Sequence, residues 1–374
     1  MKGKESYGGE RGCFMRLIDN NIMFLSPELM ARGKDETAPQ CQLPENVALF
    51  ATARNGLSYI ARSLKETARR VLIPAYTCAT VWLPFTQEGY LCGFYAVDKN
   101  LRINEENFLG LLEHFRPDVV VVHPYYGMDL TEKEQALLRK AKEQGCFVVE
   151  DLTHSLFSPY RYDFVDAYVG SMRKYFDAPD GGFYESKVLP APNMEELEEK
   201  KDFVKLMTDQ LYLRDQWLKT GDKQLRLIAG HLDGLATKAN RADWTPCRIS
   251  DFSRRVLVGQ DPKANSERRK ANARYLYEKL KNSDKVDMVY SDISDISSGP
   301  LWFPLYAKRE RKQWCKEVFS PNGVAAIRLW PVEDPATVIN DDVRYIYDNI
   351  LVFPCGQMYD EEDMQYLVDL IEGN

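Results

Sequence analysis

The sequence predicts an α/β protein with a mostly parallel sheet, followed by a smaller C-terminal α+β domain. The chain has 374 residues, 44% of them hydrophobic, which is enough for a large core and for more than one ordinary domain. Between residues 46 and 185, short apolar segments alternate with amphipathic segments of helical length. This alternation is typical of parallel strands whose connecting helices cover both faces of a sheet. We therefore predict a large domain over residues 1–250 and a small domain over residues 251–374.

The first half contains the predicted sheet. Its buried strands are expected at Val71–Ile73, Val119–Val122, Cys146–Val149 and Ala167–Val169. Helices are expected at Leu57–Thr67, Glu105–Phe115 and Glu132–Gln144. Thr131 and Glu134 have the spacing of a capping box at the start of the last helix, and Gly145 is the type of residue that ends one. Connections of this length favour right-handed crossovers between parallel strands.

The chain becomes charged and helix-forming from residue 194 to 240, which indicates a solvated helical excursion from the large domain. The small domain is expected to hold a helix at Ser266–Lys281 and a final helix with an apolar stripe at Met364, Leu367, Val368 and Ile371. Its strands are expected at Val286–Tyr290, Leu301–Leu305, Val324–Leu329 and Ile350–Phe353.

Charge and cysteine usage exclude several classes of protein. The formal net charge is −7 without a long basic run, so the usual electrostatic signature of nucleic-acid binding is missing. The longest apolar stretches are too short to cross a bilayer, and no apolar stretch follows the first lysines as in a secretory signal. The eight cysteines are scattered singly, without a C-x-x-C pair. We expect a reduced, cytoplasmic enzyme without a bound metal.

Candidate site residues follow the predicted strands. In an open parallel sheet, ligands bind beyond the carboxyl ends of the strands. The residues at these ends are Tyr76, Cys78, His123, Tyr125, Asp151, His154, Ser171 and Lys174. A turn formed by Thr52, Ala53 and Arg54 precedes a predicted helix, where backbone N–H groups and the helix dipole suit a phosphate.

Together, these groups match the needs of pyridoxal 5'-phosphate. Its aldehyde requires a lysine amine, its pyridine nitrogen requires a carboxylate, and its phosphate requires a helix N-terminus with hydroxyl groups. Taken alone, Asp151 has the ordinary interpretation of a helix cap and Lys174 that of a surface lysine. Their convergence on consecutive strand ends favours the cofactor site.

At these residues the chain resembles the DegT/DnrJ/EryC1/StrS aminotransferases, over roughly residues 45 to 370. The segments IPAYTCAT, VVVVHPYYGMDL and CFVVEDLTHSL are similar to family segments and occur in the same order. The segment from Lys174 through Asp180 to Gly182 fits the family's lysine segment. The resemblance implies a pyridoxal-phosphate-dependent transferase of fold type I.

The resemblance also implies a role for each matching residue. Lys174 would bond the cofactor aldehyde and then move a proton, Asp151 would pair with the pyridinium nitrogen, and His154 would lie against the ring or its phenolic oxygen. The backbone of Ala53 and Arg54 and the hydroxyls of Thr52 and Ser171 would hold the phosphate. His123 and Tyr125 are secondary candidates for the substrate side, for which core packing is the alternative.

The chain departs from the family pattern at several positions. Cys78 stands where many members have an aromatic residue that stacks on the cofactor, so Tyr76 is a candidate for that role. Ser171 is closer to the lysine than the family's serine. The segment TPCRISDFSRR resembles a stretch that reaches the partner's phosphate in a homodimer, but Pro246 replaces a common asparagine there. Arg248 is expected to compensate, and Arg328 is a further candidate for binding an anionic substrate.

The expected function is transfer of an amino group from glutamate or glutamine to a keto group, on a nucleotide-linked sugar by family analogy. The alternatives are a related sugar dehydratase or lyase and a non-catalytic regulator of the same fold. Lys174 argues against the dehydratase branch, in which a histidine replaces the lysine. The presence of both Asp151 and Lys174 argues against the regulator.

Overall fold

The larger sheet has seven strands in the order β1-β7-β6-β5-β4-β2-β3. The structure is a computed structural model that describes residues 17–18, 24–42 and 46–373. The strands are β1 Val47–Phe50, β2 Arg70–Pro74, β3 Leu91–Tyr95, β4 Val119–Val122, β5 Phe147–Asp151, β6 Ala167–Gly170 and β7 Gly182–Ser186. Strands β2 to β6 are joined by parallel pairings, whereas β7 is antiparallel to both β6 and β1. The predicted mostly parallel sheet is confirmed.

Helices connect these strands and cover the sheet. They are α1 Pro27–Lys34, α2 Ala53–Leu64, α3 Ala79–Gln87, α4 Glu105–His114 and α5 Glu132–Glu143. The capping box of Thr131 and Glu134 is present at the start of α5, and Gly145 has a φ of +88° just beyond its end, as predicted. The sequence analysis did not include α3, which contains Pro84, or the strands β1, β3 and β7. Of these, β3 lies at the sheet edge with Leu91 62% exposed, and Gly93 interrupts its apolar residues.

Alternate residues of the central strands face two separate cores. Val119 and Val121 of β4 belong to the cluster beneath α2 and α3. Val120 and Val122 belong to a larger cluster on the opposite face, which continues to the C-terminal strands and helices. Because side chains alternate along a strand, an all-valine strand satisfies both cores. The predicted coverage of both faces is therefore confirmed.

The predicted helical excursion consists of two antiparallel helices, α6 Lys201–Thr220 and α7 Lys223–Ala242. Eight residues of α6 are buried, among them Phe203 and Leu211, so the prediction of a solvated segment is wrong for this helix. The outer face of α7 is solvated, and it carries Leu227 at 73% exposure. Charged residues thus give the pair its polar surface, whereas apolar residues attach α6 to the core.

The C-terminal part contains a small antiparallel sheet in the order β10-β9-β8. Its elements are α8 Asp251–Val256, α9 Pro262–Leu280, β8 Val286–Met288, β9 Trp302–Ala307, α10 Arg311–Trp314, α11 Asp341–Asn349, β10 Ile350–Pro354 and α12 Glu361–Glu372. The predicted strand at Val324–Leu329 is wrong, because the segment makes only single bridges, from Val324 to Ile18 and from Ile327 to Val352. The domain boundary at residue 250 stays a prediction.

No described helix combines the length and the apolar character that crossing a membrane requires.

Candidate active site

A cavity of about 150 Å³ lies at the carboxyl ends of the central strands, where the sequence predicts the site. From the turn regions it is lined by the predicted residues Thr52, Ala53, Arg54 and Cys78. From the strand ends it is lined by the predicted residues His123, Asp151, His154, Ser171 and Lys174. The parallel topology brings these separate segments to one edge of the sheet.

The first turn of α2 forms one wall of the cavity. Thr52 is the N-cap residue, and its hydroxyl accepts a hydrogen bond from the backbone N–H of Asn55. Gly182 of β7 packs directly against this turn, since a Cβ there would overlap the backbone nitrogen of Ala53. Glycine therefore allows strand and helix to meet closely. The unpaired N–H groups of a helix start give this wall affinity for an anion.

Lys174 lies in a single 3-10 turn after β6 and projects into the same cavity. Its ammonium has no hydrogen bond or salt bridge within the described part of the chain, and it lies 5.7 Å from the ring of Trp302. Burial lowers the pKa of Lys174, Cys78 opposes the shift, and Arg173 lowers it further. A lowered pKa increases the fraction of neutral amine, which is the nucleophilic form.

Asp151 is the last residue of β5 and is 3% exposed. Its carboxylate accepts a hydrogen bond of 2.9 Å from the backbone N–H of Thr153. The His123 Nδ1 atom lies 3.8 Å from the carboxylate, and its Nε2 atom lies 2.6 Å from the Thr77 hydroxyl. Burial lowers the pKa of His123, and the Asp151 charge partly offsets this. Asp151 therefore caps its turn and also faces the cavity, so the two interpretations are compatible.

His154 occupies an aromatic cage beside Lys174. The rings of Tyr126 and Trp330 lie nearly parallel to the imidazole, at centroid distances of 4.6 and 5.2 Å, and Trp302 meets it edge-on at 5.6 Å. Burial, with the charges of Lys174 and His123, lowers the pKa of His154 well below its ordinary value. Its buried Nδ1 atom has no hydrogen-bond partner among the described residues. A neutral imidazole with one free nitrogen is suited to a hydrogen bond with a ligand.

The cavity carries a net positive charge. Its lining includes the cations Arg54, Arg173 and Lys174 but only one carboxylate, Asp151, so the formal charge is +2 with neutral histidines. The Arg54 guanidinium donates to the Asn240 carbonyl at 3.0 Å and covers the Trp244 ring at 4.4 Å. Burial and the Arg173 charge lower the pKa of Arg54 to about 10. A dianionic phosphate would neutralise this excess charge.

Tyr76 and Tyr125 pack below the cavity instead of lining it. Tyr76 is fully buried, and its hydroxyl donates to the Leu329 carbonyl. Its ring contacts Trp330 at 5.0 Å, so the expected stacking of Tyr76 on a ligand in this cavity is wrong. Tyr125 donates to the Tyr76 carbonyl and is buried, in agreement with its alternative interpretation as core. Both tyrosines support the groups above them.

Arg248 and Arg328 also lie outside the cavity. Arg248 forms salt bridges of 2.9 Å with Glu199 and 2.8 Å with Asp251, so it has a role within its own subunit. Arg328 is exposed in the segment that precedes Trp330. Neither arginine reaches the described cavity.

The sequence analysis missed several lining residues. These are Leu57, Thr80, Val81, Thr153, Arg173, Asn240 and Trp330. Thr153 and Arg173 are adjacent in sequence to predicted site residues, and this adjacency was a usable signal. Asn240 lies in the last turn of α7 and Trp330 comes from the C-terminal part, so only long-range packing brings them to the site.

The residues present fit pyridoxal phosphate. The +2 lining and the α2 N-terminus suit its phosphate, Lys174 suits its aldehyde, and the buried Asp151 suits a protonated ring nitrogen. The nitrogens left without partners, His154 Nδ1, Arg54 Nε and Arg173 Nε, are expected where a polar ligand completes a site. Cys78 lines the cavity, and its sulfur accepts from the Thr80 hydroxyl at 3.1 Å.

Comparison with known proteins identifies the class of fold as that of the aminotransferases. No protein-family model matches this sequence, and no curated protein matches it. Among solved structures, the sugar aminotransferase CalS13 from Micromonospora echinospora superimposes with a TM-score of 0.67 at 17% identity, over 96% of this chain and 100% of the other. Helicobacter pylori PseC, an aminotransferase involved in the biosynthesis of pseudoaminic acid, superimposes with a TM-score of 0.66 at 14% identity. The match covers 95% of this chain and 98% of PseC.

Within this class, the resemblance to one family is confirmed at the level of the fold. A DegT DnrJ EryC1 StrS aminotransferase from Brucella abortus superimposes with a TM-score of 0.59 at 15% identity, over 94% of this chain and 91% of the other. The large parallel sheet and the small antiparallel sheet thus have the architecture that the sequence predicts.

Proposed function

We propose that the protein is a pyridoxal-phosphate-dependent aminotransferase that moves an amino group from glutamate or glutamine to a keto group of a nucleotide-linked sugar. The observation that carries the proposal is a Lys174 without a hydrogen bond or salt bridge among the described residues, in one cavity with Asp151 and a cationic helix N-terminus. The fold shared with CalS13 and PseC supports the reaction class and, through their names, the sugar acceptor.

Each site residue has a defined task in this proposal. The cofactor supplies an electron sink that stabilises negative charge at the substrate carbon. Lys174 would hold the aldehyde end of the cofactor and move a proton at the substrate carbon, because its lowered pKa increases the fraction of neutral amine. Asp151 would keep the ring nitrogen protonated, and His154 would orient the ring through its Nδ1 atom, which is unpaired among the described residues. Thr52, Ala53, Arg54 and Ser171 would hold the phosphate.

We further propose that the enzyme is a cytoplasmic homodimer with its active sites near the subunit interface. The seven described cysteines are all free, which agrees with a reducing compartment. The exposed Leu227, Ile228 and Leu235 on α7 provide apolar surface close to Asn240 of the cavity. Sedimentation of the active enzyme tests the dimer, and a fully active monomer would exclude it.

The decisive test is spectroscopic. The purified protein, loaded with pyridoxal phosphate, should show a visible absorption band that glutamate or glutamine bleaches and that a keto acceptor restores. Keto-sugar nucleotides and simple keto acids should then be compared as acceptors. A band that forms but does not respond to either donor would favour a lyase over an aminotransferase. Absence of any band would exclude the proposed cofactor.

A further inference from the structure

We propose that the Arg173 side chain binds the phosphate of the cofactor, together with Ser171 and the first turn of α2. This inference rests on the proposed function and adds to it a phosphate-binding residue that directly precedes Lys174. A guanidinium recognises oxyanions, and it therefore favours phosphates and carboxylates.

The backbone fixes Arg173 beside the α2 turn. Its N–H donates to the Gly181 carbonyl at 3.0 Å, and the Gly181 N–H donates to the Ala51 carbonyl at 2.7 Å. The next residue, Gly182, packs against the backbone of Ala53. Two hydrogen bonds thus connect Arg173 to the residues that open α2. The guanidinium and the helix N-terminus are therefore positioned to act on the same anion.

The Arg173 side chain is available for a ligand. It lines the cavity, its buried Nε atom has no hydrogen-bond partner, and no described residue forms a salt bridge with it. Its closest ring is that of Phe203, at 5.9 Å. Burial lowers the pKa of Arg173, and two carboxylates oppose this shift, Asp233 first and then Asp180. Neither forms a salt bridge with it among the described residues, and Asp180 is engaged by the Ser250 and Ser253 hydroxyls. A guanidinium with a buried Nε atom and no ion-paired carboxylate is costly, so a ligand that supplies an anion at contact distance is favoured.

Arg54 differs from Arg173 in this respect. The Arg54 guanidinium already donates to the Asn240 carbonyl and stacks on Trp244. Arg173 lowers the pKa of Arg54, and both arginines lower the pKa of Lys174. An anion of charge −2 bound among these three cations would relieve the repulsion. The phosphate of the cofactor has that charge, whereas an amino-acid carboxylate carries only −1.

The test compares ligands that differ only in the phosphate. Dissociation constants of pyridoxal 5'-phosphate and of pyridoxal are measured for the apoprotein, for Arg173→Met and for Arg173→Lys. We expect Arg173→Met to bind pyridoxal 5'-phosphate about 10- to 100-fold more weakly and pyridoxal with unchanged affinity. Arg173→Lys should fall between Arg173→Met and the wild type. Arg139→Met removes an exposed arginine that pairs with Asp163 far from the cavity and should match the wild type.

Other outcomes overturn the inference. Equal weakening of both ligands would mean that Arg173 only supports the fold. Unchanged affinity for pyridoxal 5'-phosphate with a raised KM for glutamate would assign Arg173 to the donor carboxylate. If Arg173→Met does not fold, the ratio of the two affinities in Arg173→Lys decides in the same way. A wild-type protein that binds neither ligand would instead refute the proposed function itself.

Discussion

The floor and the wall of the cavity are built in different ways. The floor consists of residues at or just beyond the ends of the neighbouring strands β5 and β6, such as Asp151 and Lys174. A second wall, besides the α2 turn, consists of Asn240 and Trp330, which come from α7 and from the C-terminal part. In the proposed function, the floor supplies the groups that react, whereas this second wall supplies surroundings that tune them. Substitutions in the two regions should therefore fail in different ways.

The largest effect is expected from Lys174→Ala. The variant should lose both the visible band and all measurable turnover, because no other described lysine lines the cavity. Its thermal unfolding should stay close to that of the wild type, since Lys174 makes no hydrogen bond or salt bridge within the described residues. Lys201→Ala, at an exposed position on α6, is the control and should behave as wild type. Borohydride labelling of a different lysine would contradict this assignment.

Asp151→Asn should reduce turnover about a hundredfold or more while cofactor binding stays measurable. An amide keeps the hydrogen bond from Thr153 but cannot stabilise a protonated ring nitrogen. Loss of such an electrostatic partner costs about 3–5 kcal/mol in the transition state. The half-reaction with glutamate measures this directly. A rate near that of the wild type would leave Asp151 only its capping role, for which asparagine is equally suited.

Trp330→Ala tests the wall through His154. Opening the aromatic cage should raise the pKa of His154 toward its ordinary value of 6.5, because water reaches the imidazole and favours its charged form. Lys174 and His123 still oppose that charge, so the rise should be partial. NMR titration is practical because the chain has four histidines.

We expect turnover of Trp330→Ala to fall about 10- to 100-fold through loss of orientation. Trp330→Phe keeps an aromatic ring at this position, so the pKa of His154 should stay nearly as low as in the wild type. An unchanged pKa of His154 in Trp330→Ala would show that Trp330 does not control the protonation of His154.

Glu150→Gln should have the smallest effect on catalysis and a distinct effect on stability. Burial raises the pKa of Glu150 to about 8 from an ordinary value of 4.5, so the folded protein keeps a proton that the unfolded chain releases. The contribution to stability is complete below pH 4.5 and is lost as the pH rises to about 8. Glutamine imitates the protonated form and should remove this loss.

Urea unfolding of Glu150→Gln at pH 5 and pH 9 measures the difference, with the variant more stable than wild type at pH 9. The exposed Glu143→Gln on α5 should leave the pH dependence of stability unchanged. A variant with the same pH dependence as wild type would mean that Glu150 is charged in the folded protein.

The sequence by itself determined the sheet and the floor of the site. Apolar segments such as Val119–Val122 have one location that buries every side chain, a central strand between two cores. Once those strands are parallel, their carboxyl ends meet at one edge, which places Asp151, His154 and Lys174 together. These predictions needed only local pattern and topology.

Only the tertiary structure decided which other side chains reach the cavity. Tyr76 and Trp330 are both aromatic, yet Tyr76 points into the core and Trp330 lines the cavity. Arg248 and Arg173 have the same charge, yet Arg248 is paired with Glu199 and Asp251 while Arg173 has no salt-bridge partner among the described residues. Residue type fixes what a side chain is able to bind. Its partners are fixed by packing between segments far apart in sequence, and neither periodicity nor spacing encodes that packing.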